Sequence, residues 1–242
     1  MADGGRDKVC VSAIRHPPSA IWSGFGRGTR DNRLALSKQI PKDTAAALTD
    51  AVRELELRSC AEVVIEIRAR SGSYAQADAR FAALIAFVAL VVLLFSPWHF
   101  TPLWVLIDTA LAFGIGILIA QRSDSARRLM TTERERATQA RTVASSVFFE
   151  RGVANTDRES GIVVYHGLLE RRIEILADRG VLLAVPAFEW NRVIAGARAS
   201  RADDAMALVP ILRELAPLLE CHLPRLDGDR DELQNAPWFA EE

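Results

Sequence analysis

Charge is nearly absent from the middle of this chain. Between Arg80 and Arg122 the only formally charged side chain is Asp108. A stretch of 41 residues, 81 to 121, with a single charge is too long for one membrane helix, which needs roughly 20 residues. It suits two helices joined by a tight turn, and Ser96-Pro97-Trp98-His99-Phe100-Thr101-Pro102 supplies the turn. Cysteine is scarce too. Cys10, Cys60 and Cys221 are odd in number and lack CxxC spacing, which argues against a disulfide framework or a cysteine zinc site and for free thiols in a reducing compartment. Cys60 and Cys221 flank apolar runs and are read as small buried hydrophobes. The four histidines, His16, His99, His166 and His222, show no metal-ligand spacing. Ser-His-Asp order, a phosphate loop and HExxH are all missing. Lysine occurs only at positions 8, 38 and 42, and the formal net charge is −1, so no global field favours nucleic acid. One Phe25-Gly26-Arg27-Gly28 copy does not change that. Met1–Lys42 has no apolar signal core and is read as a disordered tail, 1–42.

What is present is a hairpin, expected over 79–121, that returns the chain to the side it left. The greasy stretches are Phe81–Ser96 and Pro102–Ala120. Arg68, Arg70 and Arg80 precede the first; Arg122, Arg127, Arg128, Arg134, Arg136 and Arg141 follow the second; the tip has no Lys or Arg. The bias of Lys and Arg towards the cytoplasmic side places both termini and the soluble part in the cytoplasm of a bacterial inner membrane. Trp98, His99, Phe100 and Trp104 then sit at the opposite interface. Ala112, Gly116 and Ala120 recur every four residues, as do Ala110 and Gly114, and should face Ala82, Ala86 and Ala89. Asp108, inside the second span, is a functional flag by its cost there. Its readings are a place near the outer interface, a protonated carboxyl, a partner in His99, or a transport role.

Outside the hairpin the pattern is mixed α and β. Asp43-Thr44 opens a helix to Leu57 with Ala47, Leu48, Ala51, Val52 and Leu55 at i, i+3, i+4 spacing. Glu62–Ile67 is a buried strand. Ser123–Arg151 lacks Pro and Gly and reads as one long helix, stopped by Gly152. Gly161–Tyr165 is a central strand, and Arg172–Ile175 alternates like a strand with one wet face. Pro186 opens a helix to about Ala197. Another follows Ser200 or Asp203, with Met206, Val209, Leu212, Leu215 and Leu219 inward and a kink at Pro210. Two strands joined by a long helical excursion pair most easily in parallel. The later pair is a hairpin, hence antiparallel.

The chain resembles the TPM domain family, in a bacterial branch whose domain is split by a transmembrane hairpin. The resemblance runs from about Ala45 to Leu223, with Asp231–Asn235 in the tail. Its carriers are Ser59-Cys60-Ala61-Glu62-Val63-Val64-Ile65, Tyr74, Phe148 or Phe149, Thr156–Val164, Glu170-Arg171, Glu174–Gly180 and Trp190. It implies an α/β/α sandwich around a small mixed sheet, made of segments 43–78 and 122–224, with an acidic tail at 225–242. Some members are described as acid phosphatases, and some bind calcium or another divalent cation near acidic residues. The matching positions are Asp178, with Glu62, Asp157 and Glu170 beside it; the acid-rich loops of the calcium-binding members are missing. Asp178 also suits a cap on the following turn.

The expected function is that of an interaction or assembly module at a membrane surface. Its partners would be the lipid bilayer and another membrane protein, with no nucleic acid. A divalent-metal-dependent phosphatase using Asp178 is the alternative, and a transporter component the third reading.

Overall fold

The computed structural model describes residues 41–98, 100–226 and 232–240. The expected tail, Cys10, His16, the Phe25–Gly28 segment, His99 and Asp231 lie outside them. In chain order the elements are α1 (Lys42–Glu56), β1 (Glu62–Arg68), α2 (Ala75–Phe95), α3 (Pro102–Arg122), α4 (Asp124–Met130), α5 (Glu133–Glu150), β2 (Gly161–Gly167), β3 (Arg172–Ala177), α6 (Arg179–Ala184), α7 (Ala187–Ala199), α8 (Leu208–His222) and β4 (Trp238–Ala240).

The four strands form one mixed sheet in the order β3-β2-β1-β4. β1 and β2 pair in parallel from Glu62 opposite Gly161 to Arg68 opposite Gly167. β2 and β3 are antiparallel, as a short connection requires. Alternation along β1 divides two cores. Val63, Ile65 and Ile67 belong to the core with α1, α7 and α8, where Leu48, Leu55, Trp190, Leu212 and Leu219 are buried. Val64, with Val163 and Tyr165 of β2, packs on Ala140, Ala144 and Val147 of α5. Helices thus cover both faces, an α/β/α arrangement.

Glu66 is the exception on the α5 face: a carboxylate with no exposure. Arg151 grips its Oε2 through Nε and Nη2 at 3.0 and 2.7 Å, and Arg68 Nε donates to Oε1 at 3.0 Å. Arg151 also lies 3.8 Å over the Trp238 ring, which ties β4 to this pair. The segment expected to be only a polar tail therefore adds an edge strand, with Glu66–Arg68 opposite Trp238–Ala240.

Two further expectations are corrected. The helix over Ser123–Arg151 is two helices. Ser123 caps α4 by accepting from Ala126 N. Thr132 and Glu135 form a reciprocal capping box that starts α5 afresh. Arg136 Nη1 fixes the break by donating to Arg128 O and Thr131 O, at 3.0 and 2.8 Å. Pro210 makes no interior kink, because it stands in the first turn of α8, where an amide has no intrahelical acceptor; the interior proline is Pro217. Cys60 is buried as expected, whereas Cys221 is exposed.

α2 and α3 are each 21 residues long, about 31 Å at 1.5 Å per residue, and apolar enough to cross a membrane. They pack on each other through small residues. A Cβ on Gly116 would stand 2.7 Å from the Ala82 backbone, and Ala82, Ala86 and Ala120 are buried. Ala112 of the same row is partly buried, whereas Ala110 is exposed and Gly114 faces open space, so the second small-residue row stays outside the contact. Trp98, stacked edge-on with Phe100, is 75% exposed at the tip, and Trp104 is exposed beside it. Asp108 is half-buried in the second turn of α3.

Candidate functional site

The carboxyl ends of β1 and β2 lie where the chain leaves for the hairpin, and a polar cluster fills that end of the sheet. Leu168 and Leu169 amides donate to Arg68 O and Ala69 O, so the β2–β3 turn is seated beside the start of α2. This seating brings Glu170 under Ser71 and Tyr74. The Ser71 amide donates to Glu170 Oε1 at 2.8 Å, and the Tyr74 hydroxyl donates to the same oxygen. Ser71 Oγ and the Tyr165 hydroxyl are 2.7 Å apart. All four side chains are buried, Glu170 at 4% exposure, and among the described residues Glu170 Oε2 has no hydrogen-bond partner. Gly167 makes the room: a Cβ there would stand 2.3 Å from that oxygen.

Burial pushes the Tyr74 phenol up, and the Glu170 charge adds to it. Burial does the same to Tyr165. Both hydroxyls therefore stay protonated at neutral pH. Tyr74 holds the carboxylate by donating to it, and Tyr165 holds the Ser71 hydroxyl.

Beside Glu170 opens a cavity of about 150 Å³ lined by Arg128, Glu133, Arg136, Glu170, Arg171, Arg172 and Arg201. Three separate parts of the chain supply these arginines: the α4–α5 break, the β2–β3 turn and the loop after α7. Glu133 bridges two of them, 3.0 Å from Arg201 Nη2 and 3.4 Å from Arg172 Nη1. Arg171 pairs with Asp203.

The cavity sits at the foot of the hairpin. Arg127 Nε and Nη2 donate to Asp78 Oδ1 and Oδ2 at 2.8 and 3.1 Å, both residues being buried. Arg80 reaches Met130 O at 3.2 Å. These bonds join α2 to α4 and fix the angle at which the hairpin leaves the sheet.

The other acids singled out in the sequence lie elsewhere. Glu62 is buried at the start of β1, and its Oε2 accepts from Leu233 N at 3.3 Å. Asp157 is exposed, its amide donating to Glu232. Asp178 caps α6 through Arg179 N at 2.7 Å. Glu62 and Asp178 share the far end of the sheet, since Glu62 pairs with Gly161 and Asp178 N donates to Gly161 O. Glu170 is at the opposite end, a strand's length away. A hard cation needs six or more oxygens about one point. Among the described residues no group of three or more His, Cys, Asp and Glu is able to hold a metal ion.

Sequence reasoning reached Glu170 and Tyr74 separately but missed Ser71, Tyr165 and the arginine set. Arg171 entered only as part of a resemblance and Arg172 only as the start of a strand, while Arg201 carried no signal. Only the seating of the β2–β3 turn against the α4–α5 break brings them together.

The fold and this site define a three-layer α/β domain with an apolar helical hairpin inserted after its first strand. No family model matches the chain, and no curated protein matches it. Among solved structures it is similar to the NMR structure of the BA42 protein from the psychrophilic bacterium Bizionia argentinensis. The identity is 13%, over 83% of this chain and 95% of that one, with a TM-score of 0.49.

Proposed function

We propose that this chain is an integral membrane protein whose TPM-like domain serves as an interaction or assembly module at the cytoplasmic face of a bacterial inner membrane. The observation that carries this reading is the parallel pairing of β1 with β2 across the hairpin. A domain completed on both sides of an apolar excursion holds that excursion at a fixed place on its surface. The excursion is long enough to span, and most of it is not buried by the rest of the chain. Phe87, Val92, Leu94, Leu106 and Leu118 are all exposed. A soluble monomer rarely displays an apolar patch of more than a few hundred Å², so lipid is the medium that suits this surface. The arginines that flank both feet and are missing from the tip support a cytoplasmic domain. The polar cluster supports a surface of fixed shape, since Glu170 Oε1 accepts from both the Ser71 amide and the Tyr74 hydroxyl.

Reporter fusions at the C-terminus test the sidedness: cytoplasmic reporter activity is expected, and periplasmic activity would reverse the orientation. Assay of the full chain in detergent for phosphate release with calcium, magnesium and manganese tests the module. No turnover is expected. Metal-dependent turnover lost in Asp178→Asn would replace this reading with a phosphatase.

A further inference from the structure

We infer that the arginine-lined cavity at the foot of the hairpin binds a phosphate monoester. Five guanidiniums line it against two carboxylates, Glu133 and Glu170. Asp203 answers Arg171 from outside the lining. Five positive charges against three negative ones leave an excess of two, close to the charge of a phosphate monoester at neutral pH. The guanidinium fork matches phosphate oxygens in pairs, which an ammonium does not.

Two features of the cavity bear on this reading. Among the described residues the buried Nε of Arg172 has no hydrogen-bond partner, and Glu174 Oε1 lies 4.0 Å away. The rest of the guanidinium is held at the cavity wall, Nη1 lying 3.4 Å from Glu133 Oε1 with the side chain 19% exposed. The backbones of Arg171 and Arg201 are left-handed, with φ of 51° and 37°. Glycine takes that conformation at lower cost, yet the chain places arginine at both positions, and both line the cavity. About 10–15 Å³ by the same measure holds one water, so the cavity has ample room for a phosphate group.

The source of the phosphate is a lipid headgroup or a soluble ester. Arg128 stands only six residues beyond Arg122, the end of α3. The lipid source therefore rests on the membrane reading above, whereas phosphate binding itself does not.

The test uses the full chain in phosphatidylcholine nanodiscs, titrated with inorganic phosphate by calorimetry. Saturable binding is expected, weakened about tenfold or more in Arg172→Gln, since a hydrogen bond to a charged group is lost. It should be unchanged in Arg192→Gln, an exposed arginine of α7 outside the cavity. Arg201→Gly guards against misfolding: it relieves a left-handed backbone, so its melting temperature should hold or rise while phosphate affinity falls. Phosphatidic acid added to the nanodisc then separates the sources. Competition with inorganic phosphate supports the lipid headgroup; no competition overturns the lipid source and leaves a soluble ester. No saturable phosphate binding by the natural chain, or equal binding by Arg172→Gln, overturns the inference and leaves the membrane reading standing.

Discussion

Single residues set the tolerances of this molecule, and the sharpest is Gly116. Its missing side chain is what allows α3 to lie against the Ala82 backbone. Gly116→Leu should force the hairpin apart at a cost of about 1–3 kcal/mol. Thermal unfolding in detergent should show a clear drop, whereas Gly114→Leu, which meets open space, should leave the transition in place. His166 sets a pH limit. It is fully buried, Nε2–H donates to Ala202 O at 3.1 Å, and Nδ1 has no partner among the described residues. Burial lowers its affinity for a proton below the ordinary value of 6.5. The unfolded chain therefore takes up a proton first as pH falls, and the stability present above pH 6.5 is lost below it, down through the folded-state value. Denaturant titrations between pH 8 and 5 should show this loss, and His166→Asn should flatten it. An unchanged slope in that variant would assign the loss to other groups.

Elements were legible in the sequence to the extent that one local signal decided them. Helical spacing placed α1 and α8, each with one buried face, and unbroken apolar or β-branched runs placed β1 and β2, which are buried on both faces. The break between α4 and α5 did have a signature, Thr132-x-x-Glu135, but the missing Pro and Gly outweighed it in the reading. Pro210 and Pro217 show the same limit: the cost of proline depends on its turn number, which sequence fixes only to within a few residues. Pro217 lies exposed in the interior of α8, where it removes the amide that would bond to Arg213 O. Burial of Leu212, Leu215 and Leu219 on the opposite face offsets that loss. Pro217→Ala restores the bond without touching the core. It should stabilise the domain by about 1 kcal/mol or more, read as a raised melting temperature. β4 was not legible, since three residues in an acidic stretch carry no strand period. It exists because β1 offers an unpaired edge and Arg151 offers a face to Trp238.

At the scale of the whole molecule, the apolar excursion and its return were the plainest features of the sequence, because charge is so thoroughly missing there. The arginine cavity was the least legible feature. Its residues come from the α4–α5 junction, the β2–β3 turn with the start of β3, and the segment after α7, and they meet only in the folded domain. Three of the acids put forward from the sequence, Glu62, Asp157 and Asp178, stand at the other end of strands only seven or six residues long. Spacing along the chain does not report which end of a strand a loop occupies until the pairing is known. The central claim is that α2 and α3 lie in lipid while the two flanking segments share one sheet outside it. Nitroxide labels at Val88, Leu94, Leu111 and Leu118, one at a time, test this most directly. The chain would be reconstituted in lipid, with Cys10 and Cys221 changed to Ser and Cys60 to Ala. Power saturation should show all four labels open to oxygen and shielded from a water-soluble nickel complex. Labels more open to nickel than to oxygen, or closed to both, would contradict the account.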